Sequence, residues 1–401
     1  MEENNMNIGL FTDTYYPQIN GVATSTRILA KELNGLGHKV YIFTTTDPKA
    51  EEAVPYVFRL PSMPFVFLTT HRVTMLYPPK LLINMKKFKL DVIHTQTEFP
   101  IGIFGKVAST FLKIPSVHTY HTMYEDYVHY VANGHLITPK MAQRYSRIFC
   151  NRADAVITPV QKSKDSLISY GVKRPISVIP TGLDFEPFSR EKYTKEDIEK
   201  TKAEIGVSID DPIIVSVGRI AQEKSIDVLI KAMPEVLKNM PNVKFVIVGN
   251  GPKREDLENL SKSLGVSESV IFTGPRPWDE IGKYYQLGDI FACASTSETQ
   301  GLTYIEAIAA KVPVVAKKDR SIENIIIDGE TGFYFESNED AAGIICKALK
   351  APDNNKALID RAYGHIQHLS SKNFGKSVEQ LYKDVINKNK DKDHYSSYIS
   401  E

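Results

Sequence analysis

The chain has 401 residues, of which 42% are hydrophobic and 24% charged, and its net charge is +1. That length exceeds one ordinary core and sets two or three domains as the expectation, and the composition is that of a soluble globular protein. The near-zero net charge argues against a nucleic-acid binder, the lack of an 18-residue apolar run against a membrane-spanning helix, and three cysteines lying far apart (Cys150, Cys293, Cys346) against a metal or redox motif.

In chain order, apolar strand-like runs alternate with helix-period segments. Strands are expected at Ile8–Phe11, Val40–Thr44, Val92–His94, Ser116–His118, Ala155–Thr158 and Ser177–Ile179. A second series follows at Ile213–Val217, Lys244–Val248, Val270–Phe272, Ile290–Ala292, Val312–Val315 and Gly332–Phe335. Helices at Ser25–Leu36, Asp227–Asn239, Arg254–Leu264 and Trp278–Gln286 separate several of them. Such alternation implies α/β domains with parallel sheets covered on both faces, each with its ligand crevice at the strand carboxyl ends. The Pro/Gly-bearing connector Pro180–Phe188 places the boundary near residue 186, giving domains 1–186 and 187–373. Beyond it, Phe374, Val378, Leu381, Tyr382 and Val385 share one helical face that needs a partner, and the first domain is the expected one. The polar stretch from Asn387 is expected to fray.

The loops after the expected strands carry the candidate chemistry. Gly21 lies between the first strand and its helix, where backbone either approaches a ligand or turns tightly; a lone glycine leaves both readings open. His118 and His121 follow a strand at the edge where crevice residues belong, unlike the other histidines, which read as ordinary packing or surface. In Val217-Gly-Arg219 and on to Lys224, a strand ends at a glycine and two cations follow in the loop, suited to neutralising a diphosphate and stabilising it as a leaving group. Gly249 closes another strand, either against a ligand or as a tight turn. The segment Ser297-Glu-Thr-Gln-Gly-Leu-Thr-Tyr-Ile-Glu306 runs from a strand into a helix. It sets Glu298 in the loop, Glu306 in the first helical turns, and the amides of Gly301, Leu302 and Thr303 at a helix start able to meet an anion. Two carboxylates flanking such a start suit the hydroxyls of a sugar nucleotide; alone, the pair reads first as a solvated helix glutamate and a helix-start glutamate, and the context of the other loops reverses that order. With no His-Glu-x-x-His or Cys-x-x-Cys spacing, no cofactor and no bound divalent metal are expected.

In order and spacing, Gly21, Thr119-Tyr-His-Thr122, Gly218-Arg219 with Lys224, and Glu298 followed by Glu306 resemble the retaining glycosyltransferases of family 4 across nearly the whole chain. The wording of Ser295–Glu306 and His118–Tyr130 is most similar to the bacterial diacylglycerol glucosyltransferases among them. The resemblance implies a GT-B fold, two doubly wound Rossmann-like domains facing a central cleft, and transfer of glucose from UDP-glucose to the free hydroxyl of 1,2-diacylglycerol. The product that the resemblance implies is a membrane glycolipid of the kind that anchors lipoteichoic acid. It further implies that Glu306 binds the ribose, Glu298 the sugar hydroxyls, and Arg219 and Lys224 the diphosphate, with help from Gly21 and the Gly301–Thr303 amides. His121 is then placed near the reacting centre, with His121, Arg219, Lys224 and Glu298 as the catalytic set, and Gly218, Gly249 and Leu302 among the donor contacts. Another donor sugar, a soluble or glycosylated-lipid acceptor, a sugar-nucleotide epimerase and a non-catalytic nucleotide-sugar binder stay open as alternatives.

A lipid acceptor makes an anionic membrane surface an expected partner, and the inner face of the cell membrane the expected location. Residues 1–190 carry 21 Lys and Arg against 15 Asp and Glu, whereas the remainder carries 28 against 33. Within the basic half, Leu81, Leu82, Met85 and Phe88 share a helical face flanked by Lys80, Lys86, Lys87 and Lys89, and residues 62–90 are the segment expected at the membrane. Lys140–Phe149 has a similar pattern but reads first as a core-packing helix with a solvated basic face.

Overall fold

The computed structural model describes residues 5–18, 20–50, 54–65, 68–74, 79–122, 138–295, 298, 300–350 and 352–399. The chain divides into two compact units, 1–182 with 371–401, and 183–370.

The first unit holds strands β1 (Asn7–Phe11), β2 (Lys39–Thr45), β3 (Val57–Leu60), a hairpin β4–β5 (Ser62–Phe65 and Leu68–Thr74), β6 (Val92–Thr95), β7 (Ser116–Thr119), β8 (Ala155–Thr158) and β9 (Ile176–Val178). Seven of them form one sheet in the order β3-β2-β1-β6-β7-β8-β9, and its neighbours run parallel. Strands β6, β7 and β8 are buried along their whole length and β2 at all but Lys39, which is why they lack the apolar–polar alternation of a half-exposed strand. The connections carry helices α1 (Gly21–Gly35), α2 (Pro79–Met85), α3 (Pro100–Leu112), α4 (Pro139–Asn151) and α5 (Gln161–Ser169). Local chemistry starts them: the Asn20 side chain accepts from the Ala23 amide at α1, Pro occupies the opening of α3, and Thr138 with Pro139 opens α4.

The last helix of the chain (Ser371–Ile399) belongs to this unit. Phe374, Val378, Tyr382 and Val385 join the core formed by Ile8, Leu10, Leu29, Leu33 and Val40. Ser371 Oγ donates to Glu32 Oε1 at 2.8 Å, and Tyr382 Oη lies 2.5 Å from His94 Nδ1. The stretch from Asn387 is helical through Ile399 rather than frayed. No proline or glycine after Gly375 interrupts it, so a helix already nucleated by packing propagates. On the opposite face of the sheet, Phe11, Phe43, Ile93, Ile101 and Phe104 form a second core. Met85 is fully buried there, with Leu81, Leu82 and Phe88 packed beside it. The face of α2 expected at a membrane is thus occupied by the protein's own core. Of the apolar run upstream, Val66 and Phe67 and the side chains of 64–70 lie outside the described residues.

The second unit has six parallel strands, β10 (Ile213–Val217), β11 (Lys244–Val248), β12 (Val270–Gly274), β13 (Ile290–Cys293), β14 (Val314–Lys317) and β15 (Phe333–Phe335), in the order β12-β11-β10-β13-β14-β15. This is the doubly wound order of a dinucleotide fold. Its helices are α6 (Lys195–Glu204), α7 (Ile226–Asn239), α8 (Arg254–Ser263), α9 (Ile281–Tyr285), α10 (Leu302–Ala309), α11 (Ala341–Leu349) and α12 (Pro352–His365), which makes the last helix of the first unit α13. Two cores cover the faces of the sheet, one around Phe291, Tyr304 and Ile308, the other around Phe245, Leu229 and Ile345. All three cysteines are buried free thiols. Among the described residues no helix is long and apolar enough to cross a membrane.

Candidate active site

In an open parallel sheet the ligand crevice lies where the strand order reverses, because the flanking loops diverge there. In the second unit that point falls between β10 and β13. The segments leaving these two strands carry Gly218, Arg219 and Lys224 on one side, and on the other Glu298 and Gly301 in the loop with Leu302, Thr303 and Glu306 in the helix α10 that follows. Gly218, Arg219, Lys224, Cys293 and Thr303 line one pocket there.

The β10 loop is held by backbone bonds to the end of β11 and the loop that follows it. The Gly218 amide donates to Val248 O at 2.9 Å, and that of Ile220 to Asn250 O at 3.0 Å. Gly249, at φ +144°, packs so closely that a Cβ there would sit 1.9 Å from Gly218 O. Packing of the two strand-end loops therefore explains Gly249 without a ligand. Among the described residues no carboxylate pairs with the exposed Arg219. Lys224 is different: its Nζ donates to Glu298 Oε1 at 2.6 Å. Burial works against that ammonium, but the Glu298 charge and hydrogen bond outweigh it, and its pKa is held above the ordinary lysine value.

Gly301 caps α10 in the left-handed region at φ +66°, turning the chain so that the helix begins at Leu302. Its first amides have no partner earlier in the helix, and Leu302 and Thr303 are half-buried. Glu306, one turn in, is partly buried. Tyr285 Oη donates to Glu306 Oε2 at 2.5 Å. Burial raises the Glu306 pKa to about 7, against the lowering effect of the Tyr285 bond and the Lys224 charge. Tyr285 itself is pushed well above its ordinary value, first by burial and then by the neighbouring carboxylate.

Gly21 and His121 belong to the first unit. Gly21 opens α1, is exposed, has an ordinary backbone angle, and a Cβ there would meet nothing within 4 Å. A tight turn is thus not what places a glycine at this position. His121 lies just past β7, near the reversal of the first sheet between β1 and β6. Its Nε2 is 2.8 Å from Gln96 Oε1. Burial, and secondarily the charge of His118, depress its pKa to about 3, so the ring is neutral at physiological pH. His118 points elsewhere: its Nε2 is 3.0 Å from Glu98 Oε1 and its Nδ1 contacts Thr95, all beneath the surface. Of the two histidines, His118 is structural packing.

Three partners escaped the sequence reading. Gln96, at the carboxyl end of β6, was findable by the same strand-end rule that singled out His121. Asp13, after β1, is buried and accepts from Thr97 Oγ1 (2.6 Å) and the Ile101 amide (3.0 Å), tying down the start of α3; burial lifts its pKa to about 6. Tyr285 reaches Glu306 from α9, and no local pattern announces it. Among the described residues no group of three or more His, Cys, Asp or Glu is arranged to hold a metal.

Two family models match the chain, "Glycosyltransferase Family 4" over residues 19–187 and "Glycosyl transferases group 1" over residues 197–365. An alpha-monoglucosyldiacylglycerol synthase of Streptococcus pneumoniae is 42% identical over 384 residues, covering 95% of this chain and 86% of the relative. One from Acholeplasma laidlawii is 35% identical over 397 residues, covering 96% of this chain and 99% of the relative. Among solved structures, Anabaena Alr3699/HepE in complex with UDP-glucose superposes with a TM-score of 0.74 at 19% identity, covering 94% of this chain and 99% of that one, a likeness of fold.

Proposed function

The chain belongs to the family 4 glycosyltransferases, and from that premise we propose that it transfers glucose from UDP-glucose to the free hydroxyl of 1,2-diacylglycerol. The acceptor is suggested by the name shared by the S. pneumoniae and A. laidlawii relatives. The observation that carries the donor reading is the Lys224–Glu298 contact beside Arg219, set at the strand reversal opposite the α10 start and Glu306.

In this reading the diphosphate rests against Arg219, Lys224 and the amides of Gly301, Leu302 and Thr303. Glu306, fixed through one oxygen by Tyr285, uses the other for the ribose hydroxyls. Glu298, fixed by Lys224, does the same for the glucose. Gly21 leaves room at the start of α1 for close approach of the donor, and neutral His121 serves the sugar as a hydrogen-bonding group without adding charge.

The chemistry follows from the charges. Cleavage of the glycosidic bond to phosphate leaves negative charge on the departing oxygen. Arg219 and Lys224 stabilise that charge, and the oxygen takes the proton of the attacking hydroxyl on the same face, with retention. Removal of one such group is expected to cost about 10²–10³ in rate.

Transfer of labelled glucose from UDP-glucose to diacylglycerol in mixed anionic vesicles, beside UDP-galactose and GDP-mannose, tests the reading. A labelled glycolipid from UDP-glucose alone is expected. Release of UDP without labelled lipid refutes the acceptor, and reaction only with another donor refutes the glucose.

A further inference from the structure

Helices α3 and α4 of the first unit lie side by side. Buried Phe149 of α4 fits against Gly102 of α3, where a Cβ would come 3.4 Å from its ring, and the Tyr145 hydroxyl donates to Glu98 O just before α3. Facing outward on α3 are Ile103, Val107 and Phe111, each at least 40% exposed and spaced four apart. On α4 the outward residues are Met141 (55%), Tyr145 (41%) and Ile148 (41%), again one stripe at helical spacing. One position before each on α4 stands a cation, Lys140, Arg144 and Arg147, all exposed. Lys86 adds a fourth, its Nζ 5.0 Å from the Phe111 ring centre. Neither helix contains a single Asp or Glu.

We propose that this α3–α4 face is the surface on which the protein sits on an anionic lipid bilayer. The proposal rests on the lipid-acceptor reading above and gives it a location. Apolar side chains beside a row of cations fit the boundary between acyl chains and anionic headgroups, where each cation near the surface contributes separately. The face is built on packed helices, so it needs no ordering on contact. A second copy of this chain is a poor occupant: a two-fold contact would set the cations of one copy against those of the other with no carboxylate on either helix. The α2 segment is the weaker candidate because Met85 and its neighbours are already covered.

Co-sedimentation of the full chain with vesicles of phosphatidylcholine and phosphatidylglycerol, against phosphatidylcholine alone, reads the contact directly. Wild type is expected to bind the anionic vesicles and to release as salt rises. Arg144→Glu combined with Arg147→Glu should lower the partition coefficient about fivefold for each cation lost, roughly 25-fold or more for the pair. Ile103→Ser combined with Ile148→Ser should also weaken binding, whereas Ile83→Ser, an exposed residue of α2, should leave it within about twofold. Glucose transfer to short-chain diacylglycerol in neutral detergent micelles should be unchanged in all three, which shows folded protein and an intact site. Wild-type vesicle binding by the charge-reversed variant, or loss through Ile83→Ser, overturns the proposal. Wild-type transfer in micelles without vesicle binding sinks the surface and leaves the activity standing. Vesicle binding abolished by the charge reversal, with no transfer in any setting, supports the surface and sinks the lipid-acceptor reading.

Discussion

Replacing Tyr285 by Phe deletes one hydroxyl and keeps the ring that packs against Phe188 and Phe291. The hydroxyl lost is the donor to Glu306 Oε2 at 2.5 Å. A hydrogen bond to a charged group is worth about 1.5–3 kcal/mol, equivalent to about one to two pKa units at 1.36 kcal/mol each. Glu306 already sits at about 7 because burial disfavours its charged form. Without Tyr285 it should rise to about 8–9, and the ionised fraction at pH 7 should fall from about half to about 1–10%. If the ionised carboxylate is what holds the ribose, KM for UDP-glucose should rise by about 5–50-fold at pH 7 and the deficit should shrink above pH 9.

The assay is the initial rate of glucose transfer as a function of UDP-glucose concentration from pH 6 to pH 9.5, for wild type and Tyr285→Phe. The expected signature is an upward shift of the acidic limb of kcat/KM with kcat at saturating donor little changed. A Tyr285→Phe profile that superimposes on wild type would refute the reasoning. It would mean either that Glu306 binds the donor in its neutral form or that the Tyr285 bond does not set its protonation.

Other consequences can be checked on the same preparations. Glu306→Gln should stabilise the protein at alkaline pH while weakening donor binding. A carboxyl whose folded pKa lies above its unfolded value opposes folding as pH rises from 4.5 to about 7, here by about 3 kcal/mol, so the gain seen by denaturant titration should be full at pH 8 and vanish below pH 4.5. Lys224→Ala should lower kcat about 10²–10³-fold while circular dichroism stays native; full activity at saturating donor would remove Lys224 from the mechanism. Gly249→Ala sets a Cβ 1.9 Å from Gly218 O at φ +144°, so calorimetry should show a loss of more than about 3 kcal/mol or failure to fold.

The fold was legible because its strands are buried on both faces. Runs such as Ile213–Val217 and Ala155–Thr158, each apolar but for one small hydroxyl residue, stand out as near-continuous blocks, and their observed bounds are the expected ones. The β4–β5 hairpin and β3 were missed. They lie toward one edge of the first unit, where short strands mix Pro, Arg and Thr with apolar residues and the period is lost. Within the candidate site, what could be read was what one loop holds. Glu298, Gly301 and Glu306 lie in one strand–turn–helix segment, and Gly218, Arg219 and Lys224 in another. What could not be read was the joining of segments: the Lys224–Glu298 bond spans 74 positions and Tyr285–Glu306 links two helices. Tertiary packing alone sets those pairs.

The two basic amphipathic segments make the same point from the surface. By sequence, α2 and α4 carry interchangeable patterns: apolar residues on one face with lysines or arginines alongside. A helical period identifies which residues share a face, but a face turned to the core and one turned outward have the same period. Leu81, Leu82, Met85 and Phe88 pack into the core on one side of the first sheet. On α4 the core takes only Ala142, Ser146, Phe149 and Cys150, a different stripe, because Cys150 joins the cluster with Tyr120 and Val156 and Phe149 meets His118. Met141, Tyr145 and Ile148 are left outward beside the cations. An α4 with two apolar stripes, one small and buried, one large and exposed, carries more hydrophobic surface than its own packing requires. That excess, continued on Ile103, Val107 and Phe111 of the neighbouring helix, is the observation on which the proposed lipid-facing surface rests, and a core helix with a solvated basic face would lack it.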